Sequence, residues 1–156
     1  MIAHPFHHSL GHREDKPPTP LAVPATSSPG PGRETVLIVE AEDPVRDLEQ
    51  TVLRAEGYVV LTAASGSEAL ELSGGHPGPI HLVVTDVAMP DMNGAELCRR
   101  LKALRPGMKV LYLSGHPDET LAWLGLQDGV VLLRKPFGLD ELRATVRAVL
   151  DRPAGA

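Results

Sequence analysis

From Thr35 onward, short apolar runs alternate with amphipathic stretches along this chain. The runs at 36–39, 59–61, 82–84, 110–113 and 130–133 are strand-sized and nearly continuous in Val, Leu and Ile. Between them lie segments with helical spacing: one ending at Gly57, then 65–73, 94–104, a short piece around 121–126, and a closing segment at 139–150. In the last of these, Leu139, Leu142, Val146 and Leu150 recur at three- and four-residue steps and form one apolar stripe. Continuous apolar strands belong to a sheet covered on both faces. Regular alternation with helices predicts parallel strands, so the expected fold is α/β, a doubly wound five-stranded parallel sheet. Punctuation agrees: Ser65 and Glu68 are spaced as a capping box, and Gly57 and Gly107 stand where helices should stop.

The first 33 residues read differently. Seven of the fifteen prolines fall there (Pro5, Pro17, Pro18, Pro20, Pro24, Pro29 and Pro31), among Ser, Gly, Thr and His, with no period of two or 3.6. Such a segment buries too little apolar surface to offset its ordering entropy. The expected organisation is a disordered Pro/His-rich tail at 1–33, one domain at 34–151 and a short tail at 152–156, with no output domain after it. His4, His7, His8 and His12 cluster in the first tail. Imidazole suits Zn²⁺ or Ni²⁺, but no carboxylate or cysteine stands at a supporting spacing, and a polar terminus is the simpler reading.

Composition narrows the function classes. A net charge of -5 over 156 residues argues against a nucleic-acid module, which needs a concentrated basic face. No apolar run approaches the roughly 20 residues of a membrane helix, and no signal-peptide h-region is present, so a cytoplasmic chain is expected. Cys98 is the only cysteine, which excludes an intrachain disulfide; it reads as a packing residue beside Leu97 and Leu101.

In an open doubly wound sheet, ligands bind beyond the carboxyl ends of the strands. Glu40 follows the first apolar run, Asp86 the third, Ser114 the fourth and Lys135 the fifth, whereas Thr62 and Ala63 after the second offer little. Two acids, a hydroxyl and a lysine on one edge suit phosphoryl transfer to a carboxylate. An aspartate can form an aspartyl phosphate, Mg²⁺ takes one or two carboxylates and leaves other positions to water and phosphate, and a lysine and a hydroxyl can bind the new oxyanion.

The stretch Thr85-Asp86-Val87-Ala88-Met89-Pro90-Asp91-Met92-Asn93-Gly94 resembles the phosphoacceptor loop of response-regulator receiver domains of two-component systems. Leu113-Ser114-Gly115 resembles their hydroxyl turn, Lys135-Pro136-Phe137 their lysine–proline turn, and Glu40 stands where that family places an acidic pair. The resemblance spans about residues 35–150 and implies a flavodoxin-like (βα)5 receiver fold. It further implies that Asp86 accepts a phosphoryl group from a histidine kinase or phosphotransfer protein. Lys135 would pair with the acceptor, and Ser114 would bond the phosphate. Mg²⁺ would be held by Glu40, Asp86 and the backbone carbonyl of Ala88. The Lys135–Pro136 bond would be cis. Output would be protein binding, including to another receiver through the fourth and fifth helical faces, and hybrid histidine kinases carry similar C-terminal receivers.

Three positions depart from that family. Ala41 replaces the second acid of the pair, which implies weak Mg²⁺ binding. Glu42 and Asp43 are close, but both precede Pro44 at the expected helix start, and a register using them would draw Glu40 into the first strand. Leu132 stands where an aromatic is frequent, and Ser114 replaces threonine. The chain is thus expected to be a signalling switch rather than an enzyme, with a phosphorylation-independent protein-binding pseudo-receiver as the alternative. An aspartate-nucleophile hydrolase would carry a second aspartate where Ala88 stands, and a flavin site would need a phosphate-cradling loop after Val39. His116 reads as a loop residue or a water-positioning group, and Trp123 as a partner anchor or a partly buried ring.

Overall fold

The computed structural model describes residues 33–115 and 130–153. The tail histidines, the expected 121–126 segment, His116 and Trp123 lie outside the described residues. Five strands, β1 (Thr35–Val39), β2 (Val59–Ala63), β3 (Leu82–Asp86), β4 (Lys109–Ser114) and β5 (Val131–Arg134), form one sheet. Its order is β2-β1-β3-β4-β5, and every neighbouring pair is parallel, as the alternation predicts. The described helices are α1 (Asp43–Ala55), α2 (Gly66–Gly75), α3 (Gly94–Leu104) and α4 (Leu139–Leu150), the last being the expected closing helix.

Strand alternation divides the core between two layers. Val36 and Ile38 of β1, Leu82 and Val84 of β3, and Leu111 and Leu113 of β4 face one way. There they pack against Leu53 of α1 and Leu142, Val146 and Val149 of α4. Leu37, Val39 and Val83 face the other way, against Ala69 of α2 and Leu97, Cys98 and Leu101 of α3. With helices on both faces, all five residues of β1 and of β3 are buried, which explains their uninterrupted apolar reading.

The differences from the expected boundaries have local causes. Strand β3 continues through Thr85 to Asp86, because Asp86 still pairs in register with Leu113. Gly57 does end α1, at φ 96°, with its N–H donating to the Arg54 carbonyl at 3.0 Å. Gly107 has no such role. Helix α3 stops at Leu104 with Arg105 as its C-cap, and the Arg105 guanidinium crosses to the end of α2. It donates there to the carbonyls of Ser73, His76 and Gly78 at 2.7–2.9 Å, supplying donors where that helix has exhausted its own. At Ser65 the hydroxyl accepts from Glu68 N–H at 3.1 Å, while the Glu68 carboxylate reaches Ala64 N–H at 3.0 Å, one residue before the expected partner.

The second half of the loop between β3 and α3 is pinned twice. Asp91 accepts from the N–H groups of Gly66 and Ser67 at the start of α2, at 3.2 and 2.9 Å. Asn93 caps α3, accepting from Glu96 N–H at 2.8 Å. Just after them Gly94 approaches the backbone so closely that a Cβ there would lie 2.4 Å from the Asp86 carbonyl oxygen. Gly94→Ala should therefore destabilise the fold by about 1–3 kcal/mol, since backbone cannot yield as a side chain can. Gly74→Ala, in open space on α2, should be neutral or mildly stabilising. Urea unfolding midpoints of the two variants check this contrast.

Candidate functional site

Strands β1 and β3 are neighbours whose following helices depart to opposite faces, α1 to one and α3 to the other. The crevice between their carboxyl ends is the sheet's topological switch point. Glu40 follows β1 and Asp86 ends β3, so the fold places both acids at this crevice. By alternation, each continues the layer of Ile38 and Val84, the layer that α1 and α4 cover. Lys135, two residues past Leu133 of β5, reaches the same layer.

The three side chains meet. Lys135 Nζ lies 2.7 Å from Asp86 Oδ1 and 3.3 Å from Glu40 Oε2. The contact with Asp86 is a close ion pair, and that buried oxygen has no hydrogen-bond partner besides Lys135 among the described residues. Glu40, only 1% exposed, also accepts from Glu42 N–H at 3.2 Å. Burial first, then the neighbouring Glu40 carboxylate, pushes the Asp86 carboxyl above the ordinary aspartate range, with Lys135 pulling it back. For Lys135, burial works against the charged form, but Asp86 and Glu40 outweigh it and leave the ammonium above its usual value.

Ser114 is buried at the end of β4, and its carbonyl accepts from Lys135 N–H at 2.8 Å. Alternation turns its side chain toward the layer of Tyr112 rather than that of Asp86. Ser114 thus shares the edge with the acids. Ala88 is exposed on the loop after Asp86. The Lys135–Pro136 bond is cis, as the resemblance implies. Glu42 and Asp43 do not turn into the crevice: Glu42 is exposed as the N-cap of α1, and Asp43 pairs with Arg46. Leu132 packs against the α2/α3 layer and pairs in register with Tyr112, which brings a buried aromatic beside it from β4. Cys98 is buried in that layer, as expected of a packing residue, and burial pushes its thiol up to about 11.

The residue that the motif reading missed is Glu49. It lies on the buried stripe of α1 with Val52 and Leu53, is 2% exposed, and neither of its carboxylate oxygens has a hydrogen-bond partner. Burial, followed by the charges of Glu40 and Asp86, pushes its carboxyl up to about 8, with Lys135 opposing. The helical period held the signal: residue 49 is four past Val45 and three before Val52, a core position occupied by an acid.

The oxygen-rich crevice fits a hard divalent cation. Two buried carboxylates face it, Asp86 Oδ1 has spare lone pairs, and a further carboxylate stands unpaired beneath. Among the described residues no three or more His, Cys, Asp or Glu side chains form a ready metal cluster. That is compatible with Mg²⁺, which keeps several waters and few carboxylates, and not with a closed transition-metal site.

A pH dependence follows from Glu49. Its folded-state value is raised, so the folded chain holds a proton that the unfolded chain releases above the ordinary 4.5. Stability therefore falls as pH rises from about 4.5 to about 8, by up to about 1.4 kcal/mol per pH unit. Glu49→Gln should flatten that slope in divalent-free buffer, as read from urea midpoints at several pH values across the window.

Comparison with known proteins gives the same picture. The family model described as the response regulator receiver domain matches residues 36–147. The sensor kinase CckA of Brucella abortus is 40% identical over 122 residues, covering 78% of this chain and 13% of that kinase. The transcriptional regulatory protein CreB of Escherichia coli is 36% identical, covering 77% of this chain and 52% of CreB. The chain thus spans a small part of the kinase and about half of the regulator. Among solved structures, the receiver domain of the hybrid histidine kinase CckA superposes with a TM-score of 0.65 at 34% identity, over 75% of this chain and 99% of that domain. A receiver domain protein from Clostridium thermocellum superposes at 0.68 and 30% identity, over 76% and 95%. With the parallel sheet, the acid pocket and its lysine in place, the chain belongs to the response-regulator receiver family of two-component signalling.

Proposed function

We propose that this chain is a phosphorelay switch in which Asp86 accepts a phosphoryl group from a histidine kinase or histidine phosphotransfer protein. The observation that carries this reading is Asp86 itself: buried at the switch point, with its carboxylate 2.7 Å from the Lys135 ammonium. In the transfer, an Asp86 carboxylate oxygen forms the bond to phosphorus while the phosphorus–nitrogen bond of a phosphohistidine donor breaks. Lys135 offers a fixed positive charge to the carboxylate and then to the phosphoryl oxygens. Burial excludes water that would otherwise screen that charge.

Receiver domains generally bind Mg²⁺ at this site. Here Glu40, Asp86 and the Ala88 carbonyl would hold it, and when bound it supplies positive charge against the negative charge of the transferring group. Ala41 leaves the set one acid short, which weakens the cation's hold. Ser114 would reach the phosphoryl group by turning from its own layer, linking the acceptor to the Tyr112–Leu132 side of the sheet.

The working unit is residues 34–151, flanked by a Pro/His-rich tail at 1–33 and a short one at 152–156. It acts in the cytoplasm as a signalling module rather than an enzyme. No described helix is long and apolar enough to cross a membrane. Output is protein binding, to the kinase, to a phosphotransfer protein, or to another receiver through the helical faces that flank β4 and β5. Ala41 favours one second reading, a pseudo-receiver that binds partners without phosphorylation.

Incubation with a small phosphodonor and Mg²⁺, followed by intact mass, separates the two. A switch gains one phosphoryl group that Asp86→Asn abolishes, and Ala41→Asp accelerates the gain by about 10-fold or more. A wild type that stays unmodified while Ala41→Asp reacts establishes the pseudo-receiver.

A further inference from the structure

Helix α1 carries an acid where its packing stripe calls for an apolar residue. Glu49 shares that stripe with Val52 and Leu53, and Leu53 belongs to the layer that also contains Ile38 and Val84. Those two strand residues each lie two positions before an acid of the pocket, Glu40 and Asp86. Glu49 is one turn nearer the N-terminus of α1 than Leu53, hence one turn nearer the edge where those acids stand. Helical side chains also tilt toward the helix N-terminus, which directs the Glu49 carboxylate toward the crevice from beneath. The charges acting on it are those of Glu40, Asp86 and Lys135, the three groups of the pocket.

A buried carboxylate with two unpartnered oxygens is costly, and a position of this kind requires an explanation. An apolar residue would pack there at no such cost, as Val52 and Leu53 do. The same chain lacks an acid at position 41, and neither Glu42 nor Asp43 fills the gap. We propose that Glu49 supplies from α1, through the cation's own bound water, the negative charge that position 41 lacks. The ligand is a divalent cation of the Mg²⁺ class, taken by oxygen donors alone. This rests on the receiver reading above and deepens it: two carboxylates line the crevice, and a third, carried by a helix instead of a loop, acts on the cation from behind them.

The test is calorimetric titration of the full chain with MgCl₂, without any phosphodonor, at constant ionic strength. Four further proteins accompany the wild type: Glu49→Gln, Ala41→Asp, the double variant, and Asp86→Asn. Glutamine keeps the shape of glutamate and removes only its charge, and a cooperative melt confirms that each protein is folded. The expected result is a Kd for Mg²⁺ raised at least about 10-fold in Glu49→Gln and restored when Ala41→Asp is added. Equal Mg²⁺ affinity in wild type and Glu49→Gln would overturn the inference and make Glu49 a structural residue. Binding confined to proteins with Asp at position 41 would overturn it too, while leaving the receiver reading as a disabled site. If Asp86→Asn binds as tightly as wild type, the cation is not at this pocket, and both readings fail.

Discussion

Lys135 holds its ammonium against two buried carboxylates, 2.7 Å from Asp86 and 3.3 Å from Glu40, and the organisation of the upper edge of the sheet depends on that contact. Burying one acid costs several kcal/mol without a partner, and burying two side by side costs more. Burial and the neighbouring Glu40 outweigh that one lysine, so the carboxyl of Asp86 stays above its usual range. That residual dissatisfaction is what makes the crevice receptive: an incoming cation or phosphoryl group meets groups already desolvated and already in place. Preorganisation of this kind is worth more in a water-poor crevice than at the surface.

The fold supports the pocket by rigidity rather than by direct contact. Gly94 lets α3 start against the Asp86 carbonyl, Asp91 ties the acceptor loop to α2, and Asn93 caps α3. The aspartate is therefore held by strand pairing with Leu113 before the loop and by these anchors after it. Division of the core into two layers then separates the tasks. The α1/α4 layer carries the charged groups, while the α2/α3 layer carries Tyr112, Leu132 and Cys98. Ser114, at the end of β4, is the residue placed to connect them.

Much of this was legible in the sequence. Fully buried strands read as continuous apolar runs, so their ends could be located, and the two acids, the hydroxyl and the lysine stand at or just past those ends. Asp86, Glu40 and Lys135 were found in that way, and the structure brings the three together. Ser114 was placed on the correct edge, but its layer was not visible, because the end of β4 and hence its alternation could not be fixed to one residue. Gly107 was misread because α3 already closes at Arg105, whose backbone N–H donates to the Leu101 carbonyl, and no left-handed glycine is needed there. Glu49 was missed because motif reading looks at strand ends, and this acid sits in mid-helix. Its helical spacing marked it as a core position, whereas Leu48 beside it is apolar and half exposed. Period, not residue type, held that information.

The most direct test of the acceptor pocket is fluorine NMR of the chain with Mg²⁺ and trifluoroberyllate, a phosphoryl mimic that adds to a carboxylate oxygen. The expected result is a bound fluorine signal in the wild type that is lost in Asp86→Asn and strongly weakened in Lys135→Met. A bound signal that persists in Asp86→Asn would contradict the assignment of Asp86 as the acceptor.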